Sequence, residues 1–479
     1  MPSQVAIAWP HDISVMVKLT LFFALLTAAL ISQLTNLSGL VFISALFQAA
    51  SVANIHLSPA DITGSSAYGI TLFNSAALVA AIALLSKLVS RPNLPLRANL
   101  RLPLSLLVAY ASIAVVGGVT LPLLFEGLPV HLQIKMNGAN EPPVPLRWSL
   151  SNLAQCVNLL ILLAVLLYFV LAVRTQEEKR KLITAIVVGS GIVASISLYE
   201  QAAHLFSWPS MATLLANNPG YSIAPLNWSE GSPVVRVGLP FSESSYASVF
   251  LASVTVGGFA VALLGRGRWW AWLGSVVSGL ALVNTFGATG IFAAAAGVAA
   301  VFCWACVRAT KSSGSPIRTR VVVASLAFIT VCSAGVVAYQ TSPWQPQIRS
   351  MAVGLVLHKL VQQDGVREQS NRRALEVFSE SYGLGVGLGS NRASSFLASM
   401  LSNTGLAGFC LFFLMLFALA REYWRADALT DIQVFSISAI AASTLAMSIG
   451  VPDLNLPMYW CFIFLGFVFC PEPNVHLGV

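Results

Sequence analysis

Windows of about 20 apolar residues recur along this chain almost from end to end, and they limit its fold more than any other feature. In hydrocarbon such a window must satisfy its own backbone N–H and C=O groups, so each is expected to be a helix. The expected spans are 13–34, 38–55, 66–87, 103–125, 152–173, 182–205, 244–265, 269–284, 287–308, 321–340, 393–420, 432–450 and 456–471. That makes 13 apolar segments, with room for one or two to be re-entrant, the first pair above all. The break at 284–290 is either a tight turn or a kink. Charged residues are only 9% of the chain against 57% apolar, where soluble domains carry roughly 25% charge. The expected fold class is therefore all-α, a polytopic integral membrane protein with about 12–13 transmembrane helices and a large loop between late helices. The first apolar run is too long for a signal peptide and lacks a basic start, so it is expected to be retained.

Lysine and arginine mark the loops. Lys87, Arg91, Arg97 and Arg101 fall in one gap; Arg174, Lys179, Arg180 and Lys181 in another; then come Arg266 and Arg268, then Arg308, Lys311, Arg318 and Arg320, and last Arg421 and Arg425. These sixteen of the 26 basic residues all occupy alternate gaps, which the positive-inside rule assigns to the cytoplasm. If one early segment does not span, the N-terminus lies on that side too. The chain then divides into N-terminal helices (1–205), an outward loop (206–243), central helices (244–340), a large outward loop (341–392) and C-terminal helices (393–479). The net charge of +8 is explained by these flanking loops, and without a basic tail or aromatic–basic interleaving it does not point to nucleic acid. All seven cysteines fall in apolar stretches, so a disulfide framework is not expected. The spacing Cys303-Trp-Ala-Cys306 reads as two small packing residues on a helix rather than a metal or redox site.

The outward loops carry the residues with chemistry in them. Six basic residues, Arg349, Lys359, Arg367, Arg372, Arg373 and Arg392, cluster on the face where positive charge is normally scarce. An anion compensates on this reading, and the planar guanidinium fork suits the oxygens of phosphates and diphosphates. The bland alternative is a solvated loop whose arginines pair with Glu368, Glu376 and Glu380. In the same loop "SMAVGLVLHKLVQQ" has the spacing of a surface helix, with His358 on it, and "SNRRALEVFSE" that of another, capped by Ser370 or Asn371. Glycines alternate at 383, 385, 387 and 389. They either bring backbone amides to an anion, next to Arg392 and a helix start at Ser394–Ser395, or let helices pack closely. In "RVGLPFSESSYAS", Arg236 and Glu243 stand just before a membrane helix; Glu243 is either a helix-capping carboxylate or a general base. The sequence has no Walker-type loop, no dinucleotide fingerprint, no HExxH and no Asp-x-Asp pair, and its spans hold almost no ionisable residue.

Three patches resemble the O-antigen polymerase and O-antigen ligase family of bacterial envelope glycosyltransferases: "RVGLPFSESSYAS", "REQSNRRALEVFSESYGLGVGLGS" and "SSFLASMLSNTGLAGFCLFF", covering about 236–420 in the family's order. The resemblance implies about a dozen helices and transfer of a glycan from an undecaprenyl-diphosphate-linked oligosaccharide at the periplasmic face of the bacterial inner membrane, with no metal or other cofactor. It implies a chain-length regulator and a flippase as partners, beside membrane lipid. Carried over by position, Arg236 and Arg367 match the family's arginines, with Arg372, Arg373, Arg392, Gly387 and Gly389 as further diphosphate-binding candidates. One departure matters. Where the ligase pattern has a His-Asn pair before the Gly-Leu-x-Gly glycine, this chain has Ser394 and Ser395. That favours a polymerase of lipid-linked repeat units, in exopolysaccharide or O-antigen synthesis, over a ligase, and leaves Glu243 as the candidate base. A flippase for lipid-linked sugar, the alternative from another class, would want charge through the membrane rather than at one face.

Overall fold

The computed structural model describes residues 37–56, 67–90, 96–131, 143–216, 218, 236–265, 269–311, 317–326, 364–426 and 428–472. The first expected span, most of 321–340, and the loop residues Arg349, His358 and Lys359 with the surface helix around them lie outside these. Helix dominates what is described, and eight helices are long and apolar enough to cross a membrane. The protein is an all-α polytopic membrane protein.

In chain order the elements are α1 (Leu37–Ser44), β1 (Ser51–His56), β2 (Ala67–Thr71), α2 (Leu72–Ser90), α3 (Arg101–Leu124), β3 (Pro129–Val130), β4 (Val144–Pro145), α4 (Leu150–Ala172), α5 (Gln176–Phe206), α6 (Ala212–Leu215), α7 (Ser244–Leu264), α8 (Trp269–Asn284), α9 (Ala288–Lys311), α10 (Asp364–Glu380), α11 (Phe396–Arg425), α12 (Asp431–Gly450) and α13 (Pro457–Val468). β1 and β2 form an antiparallel hairpin, and β3 pairs antiparallel with β4. Most expected spans fall on a helix within a few residues. The exception is 38–55, where α1 ends at Ser44 and the chain turns into β1. Hydropathy records how apolar those residues are, not that the backbone turns: the Ala49 amide donates to the Pro240 carbonyl (3.2 Å), inside protein rather than in lipid. The break at 284–290 is a tight turn at Thr285–Phe286.

Between apolar helices in lipid, close packing replaces the hydrophobic effect as the main cohesive force, and small residues permit it. α7 is the central post, with 78% of its apolar window buried. A Cβ on Gly257 would stand 2.7 Å from the Phe435 ring of α12, and one on Gly258 3.2 Å from the Ala271 carbonyl of α8. Around it packs an aromatic core in which Phe250 stacks on Phe462 and Phe412 meets Tyr110, Phe396 and Trp460.

The basic loops gather at one end of the bundle. Arg97 donates from Nη2 to the Val468 carbonyl (3.2 Å) and from Nη1 to that of Cys470 (3.4 Å), and Arg320 reaches the Gly265 carbonyl. Lys87 lies over the Tyr168 ring. The opposite end collects the starts of α4, α7, α9 and α13 and the ends of α3, α10 and α12.

α11 is broken there. Gly405 has φ 67° and ψ −174°, a conformation that costs a side-chain-bearing residue dearly. Into the break runs the glycine segment, with Gly383, Gly385, Gly387 and Gly389 all at positive φ. Val386 and Gly387 donate their amides to the Ser402 and Asn403 carbonyls (2.8 and 2.9 Å), and Leu406 donates to Gly383 (2.9 Å). The backbone groups freed by the break are thus satisfied by protein.

Candidate functional site

Arg236 opens the segment that leads into α7. Phe241 donates to the Gly238 carbonyl (3.0 Å), and a Cβ on Gly238 would stand 2.9 Å from the Ser244 amide. Only a glycine lets the chain fold back this closely over the helix start. Arg236 is thereby brought beside Glu243, the residue before the first turn of α7. Glu243 has the extended backbone of an N-cap (φ −139°, ψ 151°) but makes no side-chain cap; it is exposed, and its Oε2 accepts from Ser245 Oγ (2.9 Å).

Arg367 comes to the same place from α10. A Cβ on Gly450, at the end of α12, would stand 3.4 Å from its Nη1 and 2.7 Å from Thr289 Oγ1 of α9. α10 is docked on α11 by Ala374 against Ala393 and Ala398, and by Asn371, whose Oδ1 accepts from the amides of Ser394 and Ser395 (both 3.0 Å). Burial, then the Arg367 guanidinium, pushes Arg236 below the usual arginine range, and Glu243 pulls the other way. Arg236 Nε is buried without a hydrogen-bond partner. Among the described residues neither arginine has an ion-pair partner.

A second carboxylate completes the group. Asp453 lies in the short turn between α12 and α13, three residues past Gly450, and accepts a hydrogen bond from the Tyr246 hydroxyl of α7. Its side chain is only partly exposed. Desolvation first, then the nearby charge of Glu243, raises it from 3.8 to about 7. Two guanidinium groups, one exposed carboxylate and a second that shares a proton at neutral pH leave the site net positive and short of an anion.

Of the sequence-derived candidates, Arg236, Glu243 and Arg367 come together; the others do not join them. Arg372 is exposed and pairs with Glu376 (3.3 Å), the bland arrangement expected of a loop arginine. Arg373 turns toward His131, which burial and then Arg373 hold below its usual value while Glu376 opposes them. The Arg392 amide donates to the His131 carbonyl (2.8 Å). Gly387 and Gly389 serve close packing: Cβ atoms there would stand 2.7 Å from the Gly117 carbonyl and 2.8 Å from that of Ser151. The Gly387 amide is already used, and the amides of Ser394 and Ser395, where an anion was expected to sit, are filled by Asn371. The cap assignment is also corrected. α10 begins at Asp364, so Ser370 and Asn371 are interior to it, and Asn371 serves the start of α11 instead. Sequence reasoning missed Asp453 and Tyr246. The available signal was a lone acid in a six-residue turn between two apolar spans, on the side without basic loops.

Against known proteins, the chain matches no family model and no curated sequence.

Proposed function

We propose that the protein is a glycosyltransferase that polymerises lipid-linked oligosaccharide repeat units, taking the glycan from a polyprenyl diphosphate at the outer face of the inner membrane. The observation that carries this reading is the meeting of Arg236 and Arg367 at a helix-bundle end, where the charge of Glu243 offsets only part of theirs and, among the described residues, neither has an ion-pair partner. Two planar forks near enough to repel each other suit the two phosphates of a lipid carrier, whose tail stays in the bilayer and whose diphosphate lies at the depth of the helix ends. Neutralising that diphosphate makes it a better leaving group as the glycosidic bond to it breaks, which is where electrostatic stabilisation contributes most. The Ser394–Ser395 departure from the ligase pattern favours a repeat unit as acceptor.

The test is glycan analysis in the native host after separate Arg236→Ala and Arg367→Ala changes. Each is expected to remove long glycan and to accumulate lipid-linked repeat units facing outward. Arg→Lys at either position keeps charge but loses the fork, and is expected to recover only part of the product. Repeat units retained on the cytoplasmic face would show a flippase instead, and normal polymer in both alanine variants would overturn the reading.

A further inference from the structure

The site holds two carboxylates, and they are not equivalent. Glu243 is exposed, and among the described residues its carboxylate accepts a hydrogen bond from Ser245 alone. Asp453 is set into the protein, takes a hydrogen bond from Tyr246 Oη, and lies three residues from the glycine against which Arg367 is seated. Glu243 is the extended residue before α7 and Tyr246 lies in its first turn; the one acts on Asp453 by its charge and the other by a hydrogen bond. The groups that act on Asp453 are Tyr246, in the first turn of α7, and Glu243, just before it, while Arg367 from α10 and Thr289 from α9 lie beside Gly450, three residues away in sequence.

We infer that Asp453, held by the Tyr246 hydroxyl, is the proton acceptor for the attacking sugar hydroxyl, and that Glu243 is a charged neighbour rather than the base. This rests on glycosyl transfer as the function of the site. In the step, the hydroxyl oxygen forms the new bond to the anomeric carbon. The bond from that carbon to the diphosphate oxygen breaks, and its electron pair leaves with the polyprenyl diphosphate between Arg236 and Arg367. The hydroxyl proton passes to an Asp453 oxygen. Tyr246 is a positioning residue: it occupies one carboxylate oxygen and leaves the other to the substrate. An acceptor of this kind works best when its affinity for protons is close to the working pH, and burial beside Glu243 supplies that.

The experiment uses full-length protein in host membranes lacking their own copy, following glycan made from endogenous lipid-linked units across about pH 5–9. Asp453→Asn is expected to lower turnover by about 10²-fold or more. Asp453→Glu, which restores a carboxylate at a shifted position, should recover part of it. Tyr246→Phe removes a donor that favours the anion, so the acid limb of the pH profile should move to higher pH. Glu243→Gln removes a like charge, so that limb should move to lower pH, with a smaller loss than Asp453→Asn. Binding of undecaprenyl diphosphate alone to the purified variants separates the two levels. Asp453→Asn should bind it as the wild type does, whereas Arg236→Ala should not. Wild-type protein that fails to bind the probe counts against the diphosphate reading itself. Retained turnover in Asp453→Asn, or an unmoved acid limb in both Tyr246→Phe and Glu243→Gln, overturns the role given to Asp453.

Discussion

At the scale of single residues, the same amino acid does different work a few positions apart. Arg367 is seated against Gly450, while Arg372 stands in solvent beside Glu376. The sequence put both in one basic cluster and could not separate them, because a helix sends residues five apart to different sides. Arg372→Ala should change the thermal midpoint of the purified protein very little, since exposed pairs one turn apart contribute about 0.3–0.5 kcal/mol. Gly450→Ala is the opposite case. Its methyl group would displace the Thr289 hydroxyl and come into contact with Arg367 Nη1, so weaker binding of undecaprenyl diphosphate is expected from a change that carries no charge. Asp453 also leaves a mark on stability. The folded protein keeps a proton on it between its ordinary value of 3.8 and about 7, where the unfolded chain has released it. Stability should therefore fall as pH rises through that window, and Asp453→Asn should flatten the slope in unfolding measured from pH 4 to 7.

At the scale of elements, apolar length and loop charge were readable because lipid imposes one solution on the backbone. The limits of α3, α4, α7 and α12 fall within a few residues of the apolar windows. What hydropathy could not supply was direction within protein. α1 stops halfway and yields to a hairpin, and α11 is interrupted at Gly405. The alternating glycines were visible, but two uses competed for them, and only the carbonyls of Ser402 and Asn403 decide between them. Gly405→Ala or Gly385→Ala should each destabilise the protein by at least about 1–3 kcal/mol, from positive φ alone, before the backbone overlap is counted. Thermal unfolding in detergent measures this. Asn371→Ala should cost about 1–2 kcal/mol by stranding the Ser394 and Ser395 amides.

At the scale of the whole molecule, the bundle is polar in the directional sense: guanidinium groups that bind helix ends at one extremity, and an unpaired cationic site at the other. Positive-inside counting anticipated that division, since Arg97, Arg320 and Lys87 do share an end. It could not anticipate that Arg236, Arg367 and Asp453, far apart in sequence, would converge, because that depends on which helices touch. In a variant lacking native cysteines, Tyr382→Cys and Arg318→Cys should label with a membrane-impermeant maleimide from opposite sides of the membrane. Labelling of both from one side would contradict the assignment of ends.

The threaded break in α11 has a consequence for how the protein is made. Arg367 is synthesised before the carbonyls of residues 402 and 403 that lock its neighbouring segment, and the chain enters the membrane from its N-terminus. Until residues 402 and 403 arrive, the glycine run has only its contacts with α3 and α4, through Gly117, Ser151 and Asn152, and the Val386 and Gly387 amides lack their acceptors. A chain truncated before residue 402 is therefore expected to leave those two amides unsatisfied and to be cut by proteases along the glycine run more readily than the full chain.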